Sequence, residues 1–341
     1  MLHSAFSELA GDCVKVGLIG FGSIARRHLA NIRQLRGDAH IVVCRMHSRQ
    51  SVPPELADEV VFDLEELAKR QPDVAFITGP APTHVETGLA MARCGADIFI
   101  EKPLSDSLEG TAELAQVCED AGRIFMLGYT MRFHEPLRLL RQNLLDGAIG
   151  RVLCVRAEVG QYLPEWRPHM DYRESVTARK ALGGGVLLEL SHEFDYLRWI
   201  LGDFQSVWSR IARLGDLEID VEDIAEVLLT GSHGELVSVH LDMLRRSGER
   251  TCHIHGTEGS LVWRSSTQTV ECYSAKEGGW RTVYAAGEFD RNSMFIAEIQ
   301  HFFDCVERRT KPVVGYEDGR RALEIIVAAR KSSQERRELS L

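Results

Sequence analysis

Val14 to Ile19 is an apolar run, broken only by Lys15 and Gly17, and it ends in Gly20-Phe21-Gly22-Ser23-Ile24-Ala25. Arg26 to Leu35 then has the apolar spacing of a helix. A strand, a tight glycine turn and a helix start, in that order, commit the chain to opening with an α/β unit. The turn has the spacing G-x-G-x-x-A. Its first glycine permits the turn, its second lets a pyrophosphate approach the backbone, and its small third residue allows helix and strand to pack closely. The helix N-terminus would then face the phosphates, which makes Gly20, Gly22, Ser23 and Ile24 candidate dinucleotide contacts.

The alternation continues. Strands are expected at Ile41 to Cys44, Val74 to Ile77, Ile98 to Ile100 and Ile124 to Leu127, with helices at Leu64 to Arg70, His84 to Cys94 and Leu108 to Ala121 between them. Strands separated by helices imply a parallel sheet, whose ligands bind beyond the strands' carboxyl ends. After the second strand an NAD enzyme normally carries an acid for the ribose hydroxyls, but this chain reads Arg45, Ser48 and Arg49 there and no acid. Those residues suit a 2′-phosphate, so NADP is favoured over NAD. After the strand ending at Ile100 comes Glu101-Lys102-Pro103. The proline restricts Lys102 to an extended backbone, and the ammonium can stabilise alkoxide character on a substrate oxygen during hydride transfer.

Beyond Gly147-Ala148-Ile149-Gly150 the rhythm changes to β-like runs, among them Val152 to Val159, Ala225 to Thr230, Glu235 to Leu244 and Thr251 to His255, separated by hairpin signals. The expectation is a nucleotide-binding domain over 1–128 and an α+β domain over 129–341 with a large, mostly antiparallel open sheet. The last helix, Gly319 to Glu335, is expected to pack back on the first domain. Within the second half, Gly183-Gly184-Gly185 precedes Val186 to Leu201, which reads as one helix. On a continuous helix Glu189, His192, Asp195 and Tyr196 share an edge, and a carboxylate beside His192 would orient its imidazole as a base for a hydroxyl proton. The loop around Tyr162, Trp166, Arg167, Asp171, Tyr172 and Arg173 mixes flat rings with charge, as expected of a pocket for a polyhydroxy or anionic ligand.

Taken in order, Gly20 to Ala25, Thr78-Gly79-Pro80-Ala81-Pro82-Thr83-His84, Glu101-Lys102-Pro103, Gly128 to Phe133, Gly183 to Asp195 and His255 to Leu261 resemble the glucose-fructose oxidoreductase and inositol dehydrogenase (Gfo/Idh/MocA) family. The resemblance implies an N-terminal Rossmann domain, a C-terminal α/β domain with an open sheet, and NAD(P) chemistry on sugars, sugar derivatives or cyclitols. It also implies Lys102 and His192 as the catalytic pair with Asp195 beside them, further cofactor contacts at Thr78, Pro80, His84, Glu101 and Lys102, a substrate contact at Arg132, and a homodimer or homotetramer. One departure stands out. Many members carry Asp four residues before the histidine, whereas here position 188 is leucine and the acid is Glu189, three before. Two other readings stay open: a non-carbohydrate substrate such as a trans-dihydrodiol, and a catalytically silent NAD(P)-binding regulator.

Charge and composition exclude other classes. A net charge of -10 opposes attraction to phosphate backbones and anionic lipid, so neither nucleic acid nor membrane is an expected partner. Met1 to Asp12 lacks a basic region followed by an apolar one, and the eight cysteines include no Cys-x-x-Cys. The expectations are a cytoplasmic protein and no metal site.

Overall fold

The computed structural model describes residues 13–46 and 52–341, which form two compact units. The first comprises residues up to 130 together with 291–320, and the second 131–290 with 321–341. Ser48 and Arg49 lie outside the described residues.

In the first unit six strands make one sheet: β1 (Lys15–Ile19), β2 (His40–Cys44), β3 (Glu59–Val61), β4 (Val74–Ile77), β5 (Asp97–Glu101) and β6 (Phe125–Gly128). Their order is β3-β2-β1-β4-β5-β6 and every pairing is parallel. The direction of winding reverses between β1 and β4, which puts a ligand crevice at the carboxyl ends of those two strands. Four helices connect them: α1 (Ser23–Leu35), α2 (Leu64–Lys69), α3 (His84–Arg93) and α4 (Thr111–Asp120). β4 and β5 are buried along their whole length, as a parallel sheet covered on both faces requires. A distant helix, Asn292–Arg308, completes this core. Phe76 meets Phe99 and Phe302 at centroid distances of 5.0 and 5.3 Å, and Asn31 and Asn292 exchange side-chain amide hydrogen bonds.

The second unit holds α5 (Glu135–Leu145), β7 (Val152–Gly160), α6 (Val186–Glu189) and α7 (His192–Leu201), followed by a run of strands. These are β8 (Phe204–Ala212), β9 (Ile224–Gly231), β10 (Leu236–Asp242), β11 (Glu249–Gly256), β12 (Gly259–Arg264), β13 (Thr269–Ser274), β14 (Gly279–Ala285) and β15 (Leu339–Ser340). With β7 they form a nine-stranded sheet in the order β14-β13-β12-β11-β7-β10-β9-β8-β15. Only the β7–β10 pairing is parallel, so the expected antiparallel character holds. Burial alternates along β9 and β10, the signature of a sheet with one packed face. α5 packs on β12 and β13. The final helix, Tyr316–Glu335, begins in the first unit and continues into the second. Among the described residues no helix is long and apolar enough to cross a membrane.

Candidate active site

The turn after β1 has two different glycines. Gly20 has φ +104°, and a Cβ there would stand 3.1 Å from the Thr78 backbone, so only glycine fits. Thr78 is buried beneath it, its Oγ1 donating to the Ile19 carbonyl at 2.8 Å. Gly22, with φ -75°, is the residue that begins α1, and a Cβ there would meet no atom of the described residues within 4 Å. Among the described residues nothing in the fold demands glycine at 22, and a bare backbone there suits close approach by a ligand. Among the described residues no side chain caps α1, and its first turn has no acid, so its N-terminal amides and dipole suit an anion. Ser23 and Ile24 are the first residues of that helix. These features fit a dinucleotide pyrophosphate.

Past the end of β2, Arg45 is buried, with its guanidinium 4.9 Å from the centroid of the Phe21 ring. Arg26, from α1, lies 4.0 Å from the same centroid. Burial lowers the Arg45 pKa, and the neighbouring Arg26 charge lowers it further. Two cations around one ring make a locally positive corner that a phosphate would relieve.

Pro80 precedes a short 3-10 turn that leads into α3, and its carbonyl accepts the Thr83 hydroxyl at 2.8 Å. His84 is buried, with Nδ1 2.9 Å from the Pro103 carbonyl and Nε2 2.9 Å from that of Gly79. Burial pushes its pKa down, favouring a neutral ring in which one of these nitrogens donates. Its nitrogens thus face the protein's own main chain. Glu101 is buried as well. One carboxylate oxygen lies 2.5 Å from His28 Nε2, and the other accepts the Lys102 amide at 3.1 Å. Lys102 itself is half-buried and joined to Pro103 by a cis peptide bond.

In the second unit the expectation of one helix over 186–201 is corrected. α6 ends at Glu189, Leu190 has φ -100° and ψ 26°, and α7 starts afresh at His192 behind Ser191. Glu189 and His192 therefore do not share one helical edge, and the i, i+3 argument for that pair lapses. Both residues are half-buried, whereas Asp195 is fully buried. Arg132 makes a two-pronged contact with Asp195, Nε to Oδ2 at 2.8 Å and Nη2 to Oδ1 at 2.7 Å. Arg132, expected as a substrate contact, is itself buried and serves the acid of α7. Tyr196 is buried edge-on to Trp263 at 6.4 Å, and burial first of all raises its phenol pKa.

The loop after β7 is built of short 3-10 turns. Leu163, Trp166, Arg167, Met170, Tyr172 and Ser175 line one small hollow there. The Tyr162 ring carries the Arg246 guanidinium at 3.5 Å, and Trp166 Nε1 donates to the Gln161 carbonyl at 2.9 Å. Asp171 and Arg173 hold each other, with Arg173 Nη2 2.6 Å from Asp171 Oδ2. That contact brings the carboxyl pKa down to about 2.

Arg26, His28, Glu193 and Arg250 escaped sequence reasoning. Glu193 lies at the start of α7 with no solvent exposure, paired with Arg250 of β11 at 2.8 Å. A charged residue in an apolar helix stripe was the available signal for Glu193; its partner lies too far along the chain for periodicity to find.

Residues 14–129 match the family model described as the oxidoreductase family, NAD-binding Rossmann fold, and residues 141–341 match the same family's C-terminal alpha/beta domain. The chain is 26% identical to the myo-inositol 2-dehydrogenase of Thermotoga maritima, over 96% of this chain and 98% of that protein. It is 28% identical to the 1,5-anhydro-D-fructose reductase of Ensifer adhaerens, over 89% and 91% of the two chains. The solved structure of a levoglucosan dehydrogenase in complex with NADH superposes with a TM-score of 0.86 at 22% identity, over 96% of this chain and 99% of that one.

Proposed function

We infer the reaction from the premise that the chain belongs to the Gfo/Idh/MocA oxidoreductase family, whose NAD-binding and C-terminal models it matches in turn. It is a nicotinamide-dependent dehydrogenase or reductase, and the substrate class we propose is a sugar, sugar derivative or cyclitol. The observation that carries the reading is the uncapped start of α1 behind Gly22, a cradle suited to the cofactor pyrophosphate. When bound, the nicotinamide supplies or accepts the hydride. Lys102 polarises the reacting oxygen and His192 exchanges its proton, with Asp195, held by Arg132, three residues further along α7. Trp166, Arg167 and Tyr172, which line one hollow, are proposed to receive the ligand. NADP is preferred over NAD because Arg45 and Arg26 converge on Phe21.

The expected assembly is a homodimer or homotetramer through the outer face of the nine-stranded sheet. Trp208 and Leu228 stand opposite each other there and are 43% and 41% exposed, an apolar pair that a second copy would cover.

Incubating the purified protein with NADP⁺ or NAD⁺ and a panel of cyclitols, anhydrosugars, amino sugars and nucleotide sugars, while following nicotinamide absorbance, tests the activity. On the substrate found, Lys102→Met and His192→Asn should each lower kcat by about 10²- to 10⁴-fold with cofactor affinity nearly unchanged. A variant keeping more than roughly a third of kcat removes that residue from the mechanism.

A further inference from the structure

We propose that His28 and His84 are positioning residues for Lys102, holding the Glu101-Lys102-Pro103 turn from its two sides; the proposal rests on the reading of Lys102 as the group at the substrate oxygen. His28, in α1, has no solvent exposure and sits among Phe76, Phe99 and Phe295, with centroid distances of 6.0, 5.3 and 6.2 Å. Those rings fix where its Nε2 points, which is at Glu101 Oε1, 2.5 Å away. The other oxygen of that carboxylate accepts the Lys102 amide at 3.1 Å. From the opposite side His84, the first residue of α3, sets its Nδ1 2.9 Å from the carbonyl of Pro103. Its Nε2 lies 2.9 Å from the Gly79 carbonyl, in the loop after β4, so the single N–H of the neutral ring is shared between that loop and the turn.

The chemistry explains why two buried imidazoles stand here. A lysine head on a flexible four-carbon stem is aimed only as well as its Cα is held. Burying a polar ring is unfavourable without a partner, and each of these rings finds its partner in a residue that flanks Lys102. His28 and His84 are 0% and 1% exposed, so neither reaches a bound substrate; each acts through the lysine. Displacement of a reacting group by about 1 Å can lower a rate by about a hundredfold.

A double-mutant cycle tests this. His28→Leu and His84→Leu, with His28→Gln and His84→Gln as variants that keep an N–H donor, are made in the native sequence and in Lys102→Met. For each, kcat and KM on the substrate found by the panel, the NADPH dissociation constant and Tm are measured. In the native sequence the leucine variants should lose about 10- to 100-fold in kcat with the NADPH constant within about threefold, and glutamine should restore most of the loss. In Lys102→Met the same changes should alter kcat by less than about threefold. An activity-independent readout is the carbon-13 methyl resonance of reductively methylated Lys102, assigned by its loss in Lys102→Met, which should move in the leucine variants. Equal losses in both backgrounds, or folded leucine variants with unchanged kcat and an unmoved resonance, overturn the proposal. Should the leucine variants not fold, the glutamine variants run the same cycle with the same criterion. Native kcat in Lys102→Met alone would overturn the underlying role of the lysine, and it is seen in that single variant before any cycle is closed.

Discussion

Arg250 Nε stands 2.8 Å from the Glu193 carboxylate in a place where Glu193 has no solvent exposure. Together with Arg132 on Asp195 it makes a second buried ion pair on α7, the helix that begins with His192. Buried pairs are poor stabilisers against an apolar replacement, but removing one partner strands a charge.

Arg250→Leu should therefore cost about 3 to 5 kcal/mol, whereas Glu193→Leu with Arg250→Leu should recover most of it. Urea unfolding of the single and double variants measures both. A double variant no more stable than Arg250→Leu would show that the pair is not the source of the loss.

The two glycines of the nucleotide turn should respond in opposite ways. Gly22→Ala meets no atom of the described residues and keeps an ordinary φ, so its Tm should stay within a degree or two of the native protein's while NADPH binds at least about tenfold more weakly. Gly20→Ala forces a Cβ against the Thr78 backbone at a φ of +104° and should destabilise the fold itself by about 1 to 3 kcal/mol. Thermal melts and NADPH fluorescence titration separate the two effects, and equal melting losses for both would refute the distinction.

Much of the fold was legible because burial writes itself into local pattern. β4 and the Ile98 to Ile100 centre of β5 are covered on both faces and read as apolar runs, and β9 and β10 alternate because one face is packed. β3 is only three residues long and gave no period to detect. α5 carries a weaker signal, Pro136 at its start and Leu137 and Leu140 on its buried side. The positions of Gly20, Gly22, Glu101 and Lys102 at strand ends followed from the alternation. The break between α6 and α7 did not, since Val186 to Leu201 keeps its apolar stripe while the backbone turns at Leu190. Nor did the tasks of His84 and Arg132, because what a polar side chain touches across the sheet or between distant helices is a long-range fact.

The proposed preference for NADP rests on the corner formed by Arg45, Arg26 and Phe21. Arg45→Ala should weaken NADPH by about 10- to 100-fold while changing NADH by less than about threefold, because only the former carries the phosphate that the guanidinium would pair with. Arg26→Ala should do the same to a smaller degree. Parallel titrations with both nucleotides decide it; equal weakening of the two would make the corner a structural feature.

His240 gives the sheet a pH-dependent element. It stands across from Glu226 in the β9–β10 register, with its Nδ1 2.5 Å from Glu226 Oε1 and its Nε2 2.9 Å from Asp242 Oδ2. The hydrogen bond to Asp242 first, and then that to Glu226, raises its pKa from 6.5 to about 9. A group whose folded pKa lies above its unfolded value binds its proton more tightly when folded. Its contribution is therefore complete below about pH 6.5 and disappears as pH climbs through about 9. The ring is 23% exposed, so solvent screening reduces the contribution to roughly 1 to 2 kcal/mol. His240→Gln should accordingly be less stable than the native protein at pH 6 by about that amount and indistinguishable from it near pH 10. Urea unfolding at both values checks the sign, and a difference that stayed constant or grew toward alkaline pH would refute this account of the cluster.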